Sequence, residues 1–102
     1  MTAMTINTTK ADDGRITVSV EGRVDTTTSP ELGEVLTSLI PETSELTVDM
    51  EKLMYISSAG LRILLMAHKS MAKKGGFLLL KNISPDIYEI FDITGFTNIL
   101  NI

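Results

Sequence analysis

The 102-residue chain contains no cysteine. That absence removes disulfides, thiolate metal sites and cysteine nucleophiles together, and it fits a reducing compartment. Tryptophan is missing and aromatics make up only 5%, which leaves few platforms on which single-stranded bases could stack. One histidine, His68, is present. It falls on an apolar helical stripe, so a packed histidine is expected rather than a general base, and no nucleophile-elbow sequence accompanies it. Neither a Gly-x-x-x-x-Gly-Lys-Ser/Thr loop nor a Gly-x-Gly-x-x-Gly fingerprint occurs. Positive charge is scarce too: 9 Lys and Arg against 13 Asp and Glu give a net charge of −4. This argues against direct nucleic-acid binding, where phosphates need clustered cations. The one basic cluster, Lys69 with Lys73 and Lys74, lies near a predicted helix C-terminus and complements its dipole. No window approaches the ~20 apolar residues of a membrane span, and Met1–Ile6 lacks the basic and apolar regions of a signal peptide. The expectation is a cytoplasmic, non-enzymatic domain with no metal site and no cofactor.

What is present suffices for one core. Hydrophobic residues make up 43% of the chain, enough for a single domain over residues 1–102 without staples. Residues 4–9 read as a short edge strand, Asp12-Asp13-Gly14 as a turn, and Arg15–Glu21 as an alternating strand with Ile16, Val18 and Val20 on one face. Ser29-Pro30-Glu31 starts a helix whose stripe is Leu32, Val35, Leu36 and Leu39, and Pro41 ends it. Leu46–Met50 is the third strand. Gly75-Gly76 stops the next helix, and Phe77–Leu80 reads as a strand buried on both faces. Ser84-Pro85-Asp86 opens a last helix with Ile87, Ile90 and Phe91 as its stripe, before Gly95 and an apolar tail. The order β-β-α-β-α-β-α predicts an α/β fold. It is a small mixed sheet with an antiparallel N-terminal hairpin, two β-α-β units, and helices packed on the sheet.

The most informative stretch is Ser57-Ser58-Ala59-Gly60-Leu61-Arg62. It follows the apolar run Leu53–Ile56 and opens a helical pattern in which Leu61, Leu64, Leu65 and His68 share a stripe that Ala72 continues. Two serines thus stand where a turn becomes a helix. Serine there is an ordinary N-cap. The same position also tolerates a dianion, because the first N–H groups lack partners and the macrodipole is positive. Asp25, just after the second strand, is expected at the same carboxyl edge of the sheet.

Glu21-Gly22-Arg23-Val24-Asp25, Val48-Asp49-Met50, Tyr55–Arg62 and Ile93-Thr94-Gly95-Phe96 occur in that order. Together they closely resemble the anti-sigma-factor antagonists, single-domain members of the STAS superfamily, from about Ile6 to the C-terminus. The resemblance implies a module that, unphosphorylated, binds an anti-sigma factor which is also a serine kinase, and so frees a sigma factor. Phosphorylation by that kinase releases the antagonist, and a serine phosphatase restores it. Aligned on Gly60-Leu61, the phosphoacceptor falls on Ser58, with Ser57 the second choice, and Ser57 replaces an Asp carried by many members. Asp25 matches the family's acid near the partner surface. Asp25, Ser57, Ser58, Ala59, Gly60 and Arg62 form the expected partner-binding set. The alternative is a STAS scaffold that never meets a kinase, or a subunit of a larger assembly such as a lipid-transport complex.

Overall fold

The structure, a computed structural model, describes residues 4–100. Strand β1 (Met4–Lys10) pairs antiparallel with β2 (Ile16–Val24) across the Asp12-Asp13-Gly14 turn. Gly14 takes a φ of +94° there, a conformation open chiefly to glycine. Helix α1 (Ser29–Leu39) follows and gives way at Ile40–Glu42, around Pro41, to a single 3₁₀ turn. Strand β3 (Glu45–Asp49) then lies parallel to the first half of β2.

A short strand, β4 (Leu53–Ile56), was not expected from the sequence. It runs parallel to the second half of β2, on the side where β3 pairs with the first half. β3 and β4 are therefore one lane of the sheet interrupted by the turn at Met50–Lys52. The register slips between Gly22 and Arg23, where Gly22 has a φ of +94°, the glycine-bearing irregularity of a bulge. Four apolar residues directly before a helix carry too little pattern to be read as a strand. Their pairing is a tertiary fact.

Helix α2 (Ser58–Lys73), strand β5 (Phe77–Lys81) and helix α3 (Pro85–Ile93) complete the regular elements. β5 lies parallel to β3, so the strand order is β1-β2-β3-β5 with β4 beside β2. The mixed α/β fold expected from the sequence is the fold observed.

Side chains alternate across a strand. Ile16, Val18, Val20, Leu46, Val48, Leu78 and Leu80 are all buried and join Leu32, Leu36, Leu64, Met71, Ile87 and Phe91 in one core. Among the described residues nothing covers the other face of the sheet. Thr17, Ser19, Thr47 and Asp49 are half-buried there, and Lys81 and Phe77 are exposed. This corrects the expectation that Phe77–Leu80 is buried on both faces: β5 is an edge strand with helices on one side, so Leu78 and Leu80 are buried while Phe77 is 45% exposed. The core face of α2 is also rotated from the expected stripe. Gly60, Leu61, Leu64, Ala67 and Met71 are buried, whereas Leu65 and His68 are half-buried and Ala72 is exposed. The apolar tail forms a 3₁₀ turn at Phe96–Asn98 with Leu100 buried; residues 101–102 lie outside the described part.

Candidate functional site

β2 and β4 end side by side, Val24 opposite Ile56, and the backbone crosses from one end to the other: Ser57 N–H donates to the Val24 carbonyl at 2.8 Å. This bond ties the start of α2 to the start of the β2–α1 loop. Gly60 makes the approach possible. A Cβ on it would stand 2.7 Å from side-chain carbons of both Val24 and Ile56, closer than real Cβ atoms come. The helix therefore seats directly on the ends of the two strands.

The two serines divide the work. Ser57 is the N-cap, with extended backbone, and its hydroxyl oxygen accepts from the Gly60 N–H at 3.3 Å. Its own carbonyl accepts from Leu61 N–H at 2.9 Å. Ser58 is the first residue of the helix and is exposed. Its hydroxyl has no hydrogen bond to any described residue, so it is free to react or to meet another molecule.

Asp25 organises the neighbouring loop. Its Oδ1 accepts from the backbone N–H of Thr27 at 2.9 Å and of Thr28 at 3.0 Å. Asp25 N–H donates to Thr28 Oγ1 at 2.9 Å, and that hydroxyl donates to the Arg23 carbonyl, also at 2.9 Å. The Thr28 N–H is the foremost of several donors that hold the Asp25 carboxyl below its ordinary value, because each favours the charged form. Asp25 is thus a turn residue by its bonds, and it directly follows Val24, whose carbonyl accepts from the Ser57 N–H. Thr28, its principal partner, carried no signal in the sequence.

Arg23 and Tyr55 face each other in register across β2 and β4, and the Arg23 guanidinium lies 4.4 Å from the centre of the Tyr55 ring. Such stacking holds a cation without neutralising it. The pair is not legible in the sequence, because it exists only where Leu53–Ile56 pairs with β2 as a strand. Arg62 is exposed, one helical turn beyond Ser58. Ala59 is half-buried and Gly60 buried beneath the first turn. The expected set from Asp25 to Arg62 is therefore gathered at one end of the sheet, on two adjoining loops and the first turn of α2.

Among the described residues no three His, Cys, Asp or Glu side chains gather as a metal site. His68 stands in the third turn of α2 with a buried Nδ1 that has no hydrogen-bond partner among the described residues. No helix among the described residues is long and apolar enough to cross a membrane.

The family model for the STAS domain matches residues 6–102. An anti-sigma-B factor antagonist of Bacillus subtilis is 33% identical over 93 residues, covering 91% of this chain and 85% of its own. Among solved structures, an anti-sigma factor antagonist from Mycobacterium paratuberculosis superposes with a TM-score of 0.82 at 24% identity, covering 95% of this chain and 82% of that one. The Bacillus cell fate determinant SpoIIAA in its phosphorylated form gives a TM-score of 0.75 at 16% identity, covering 92% and 86%. At those identities the structural likeness speaks for the fold alone.

Proposed function

The chain belongs to the STAS domain family, and we propose that it acts there as an anti-sigma-factor antagonist whose grip on its partner is switched by phosphorylation of Ser58. The antagonists of this family are regulatory protein-binding modules, not enzymes. The observation that carries the reading is the free, exposed hydroxyl of Ser58 on the first turn of α2, beside a neighbour, Ser57, whose hydroxyl is occupied as the cap. The similarity to the Bacillus subtilis antagonist supports the kind of partner.

In its unphosphorylated form the surface formed by Asp25, Ser57, Ser58, Ala59, Gly60 and Arg62 binds an anti-sigma factor and so frees a sigma factor. That anti-sigma factor is also a serine kinase. It transfers the γ-phosphoryl group of ATP to Ser58 Oγ, its own base takes the hydroxyl proton, and ADP leaves. A serine phosphatase hydrolyses the phosphoserine with water, releasing inorganic phosphate and restoring the Ser58 hydroxyl. The whole cycle belongs to the cytoplasm, where ATP is available.

Phosphorylation adds about −1.5 to −2 charges and three acceptor oxygens. At the N-terminus of α2 this charge meets N–H donors and a favourable dipole, so the fold tolerates it. Across a packed interface the same charge must be desolvated or set against like charge, which costs several kcal/mol in order of magnitude. About 4 kcal/mol is a thousandfold in affinity. Release follows without unfolding.

The test is intact-mass spectrometry with site mapping on protein recovered from its own host, stressed and unstressed, alongside Ser58→Ala. A single added phosphoryl group on Ser58 that changes with condition and disappears in Ser58→Ala is the expected result. Phosphoserine on Ser57 would move the site. Partner binding with no phosphoserine in any condition would favour the constitutive scaffold or lipid-transport subunit.

A further inference from the structure

Helices α1 and α2 lie against each other closely enough that a Cβ on Gly33 would stand 3.0 Å from Ile63 Cδ1. Above this contact runs an open groove of about 470 Å³, with Pro30, Gly33, Thr37, Ile63 and Met66 along it. Met66 is 40% exposed although it is a large apolar side chain. It also borders a second cleft, lined with Arg62, Leu65 and Lys69. The apolar strip therefore continues across the outer face of α2.

The rims of this groove carry opposite charge. Residues 58–73, the whole of α2, include Arg62, Lys69 and Lys73 and not one Asp or Glu, in a chain whose net charge is −4. Residues 29–39, the whole of α1, include Glu31 and Glu34 and not one Lys or Arg. Glu34 lines the groove itself. None of Glu34, Arg62 and Lys69 has an ion-pair partner among the described residues, although both signs stand on adjacent helices. Ser58, Arg62, Met66 and Lys69 follow at i, i+4, i+8 and i+11, one stripe of α2 that spans about 16 Å at the helical rise.

We propose that this groove receives an amphipathic helix of the anti-sigma factor, about three turns long. Its apolar stripe lies over Gly33, Ile63 and Met66, its acidic flank along α2 and its basic flank along α1. The proposal rests on the partner reading above and deepens it. A helix suits the site because its apolar i, i+3, i+4, i+7 stripe matches a straight groove between two helices, and the opposed rims fix its direction and rotation. The same geometry accounts for release. A phosphate on Ser58 stands one helical turn from Arg62, within reach of a charge-assisted pair. It takes up the cation nearest the partner's acidic flank and sets a dianion against that flank.

The experiment uses the full chain and the anti-sigma factors encoded by its own host, with binding measured calorimetrically. Met66→Asp should weaken the complex about thirtyfold or more, as loss of a central apolar anchor does. The double change Glu34→Lys, Lys69→Glu, which reverses one charge on each rim and spares the binding set proposed above, should weaken it about tenfold or more and flatten its salt dependence. Phe77→Lys, on the uncovered sheet face, should leave affinity unchanged. A photo-cross-linking p-benzoylphenylalanine at position 66 should join to one partner helix with acidic residues on one side, which keeps the test valid if Met66→Asp folds poorly. If an anti-sigma factor binds the wild type and both groove variants equally well, the groove is overturned and the functional reading stands. Cross-linking to a loop or strand overturns the helix. Cross-linking to a second copy of this chain, with dimers lost in Met66→Asp, assigns the groove to self-association instead. If no host anti-sigma factor binds the wild type, the functional reading fails and the proposed occupant fails with it.

Discussion

Ser57 and Ser58 are chemically the same residue in different employment. Ser57 holds the Gly60 N–H, so Ser57→Ala should cost about 0.5–2 kcal/mol, the usual loss for an N-cap. Ser58→Ala removes a hydroxyl with no intramolecular bond and should change stability by no more than about 0.5 kcal/mol, as for an ordinary surface position. Urea unfolding of the two variants checks this; equal losses would contradict the division. Asp25 supplies a pH test. Its folded-state carboxyl titrates below the ordinary 3.8, so the stabilisation it provides is complete above that value. It is lost as pH falls through the lower, folded one. Asp25→Asn should flatten the pH dependence of the unfolding midpoint below about pH 4 and leave its slope near neutrality unchanged. Asp13, also held low, first by the Arg15 backbone N–H, adds acid sensitivity of the same sign.

At the scale of elements, α2 is anchored at both ends by means other than propensity. Its N-terminus rests on β2 and β4 through Gly60 and the Ser57–Val24 bond. Just past its C-terminus, Lys74 Nζ donates to the carbonyls of Ile40 at 2.6 Å and Thr43 at 2.9 Å. The ammonium thereby clamps the turn that follows α1. In the sequence Lys74 is simply one of three lysines at a helix end, where a dipole explanation is sufficient. Lys74→Met keeps most of the stem and loses both bonds, and should cost about 1 kcal/mol. Hydrogen exchange should speed up around residues 40–43 while the strands stay protected. Unchanged exchange there would mean that the clamp is loose in solution.

At the scale of the molecule, the site and the core are separable. Core side chains lie between the helices and one face of the sheet, whereas Ser58 stands exposed on the first turn of α2. Ser58→Asp should therefore keep a native circular dichroism spectrum and a melting temperature within about 4 °C of wild type, while weakening the partner complex. Unfolding of this variant would overturn release by charge at the interface. The local signals for caps, turns and helix starts sufficed for the order of the strands and α-helices except β4, for the mixed α/β fold and for the helix start at Ser57-Ser58, because each depends on residues a few positions apart. Ser84 illustrates this: it accepts from Ile87 N–H at 3.3 Å and starts α3 where Ser-Pro-Asp said it would. What the sequence by itself determined was which residues could build the site. Only the tertiary structure decided that β4 exists, that β5 is buried on one face, which serine caps, and that α1 and α2 leave an apolar groove between rims of opposite charge. Those outcomes depend on strand pairing and helix rotation, which are settled by contacts between residues far apart in the chain.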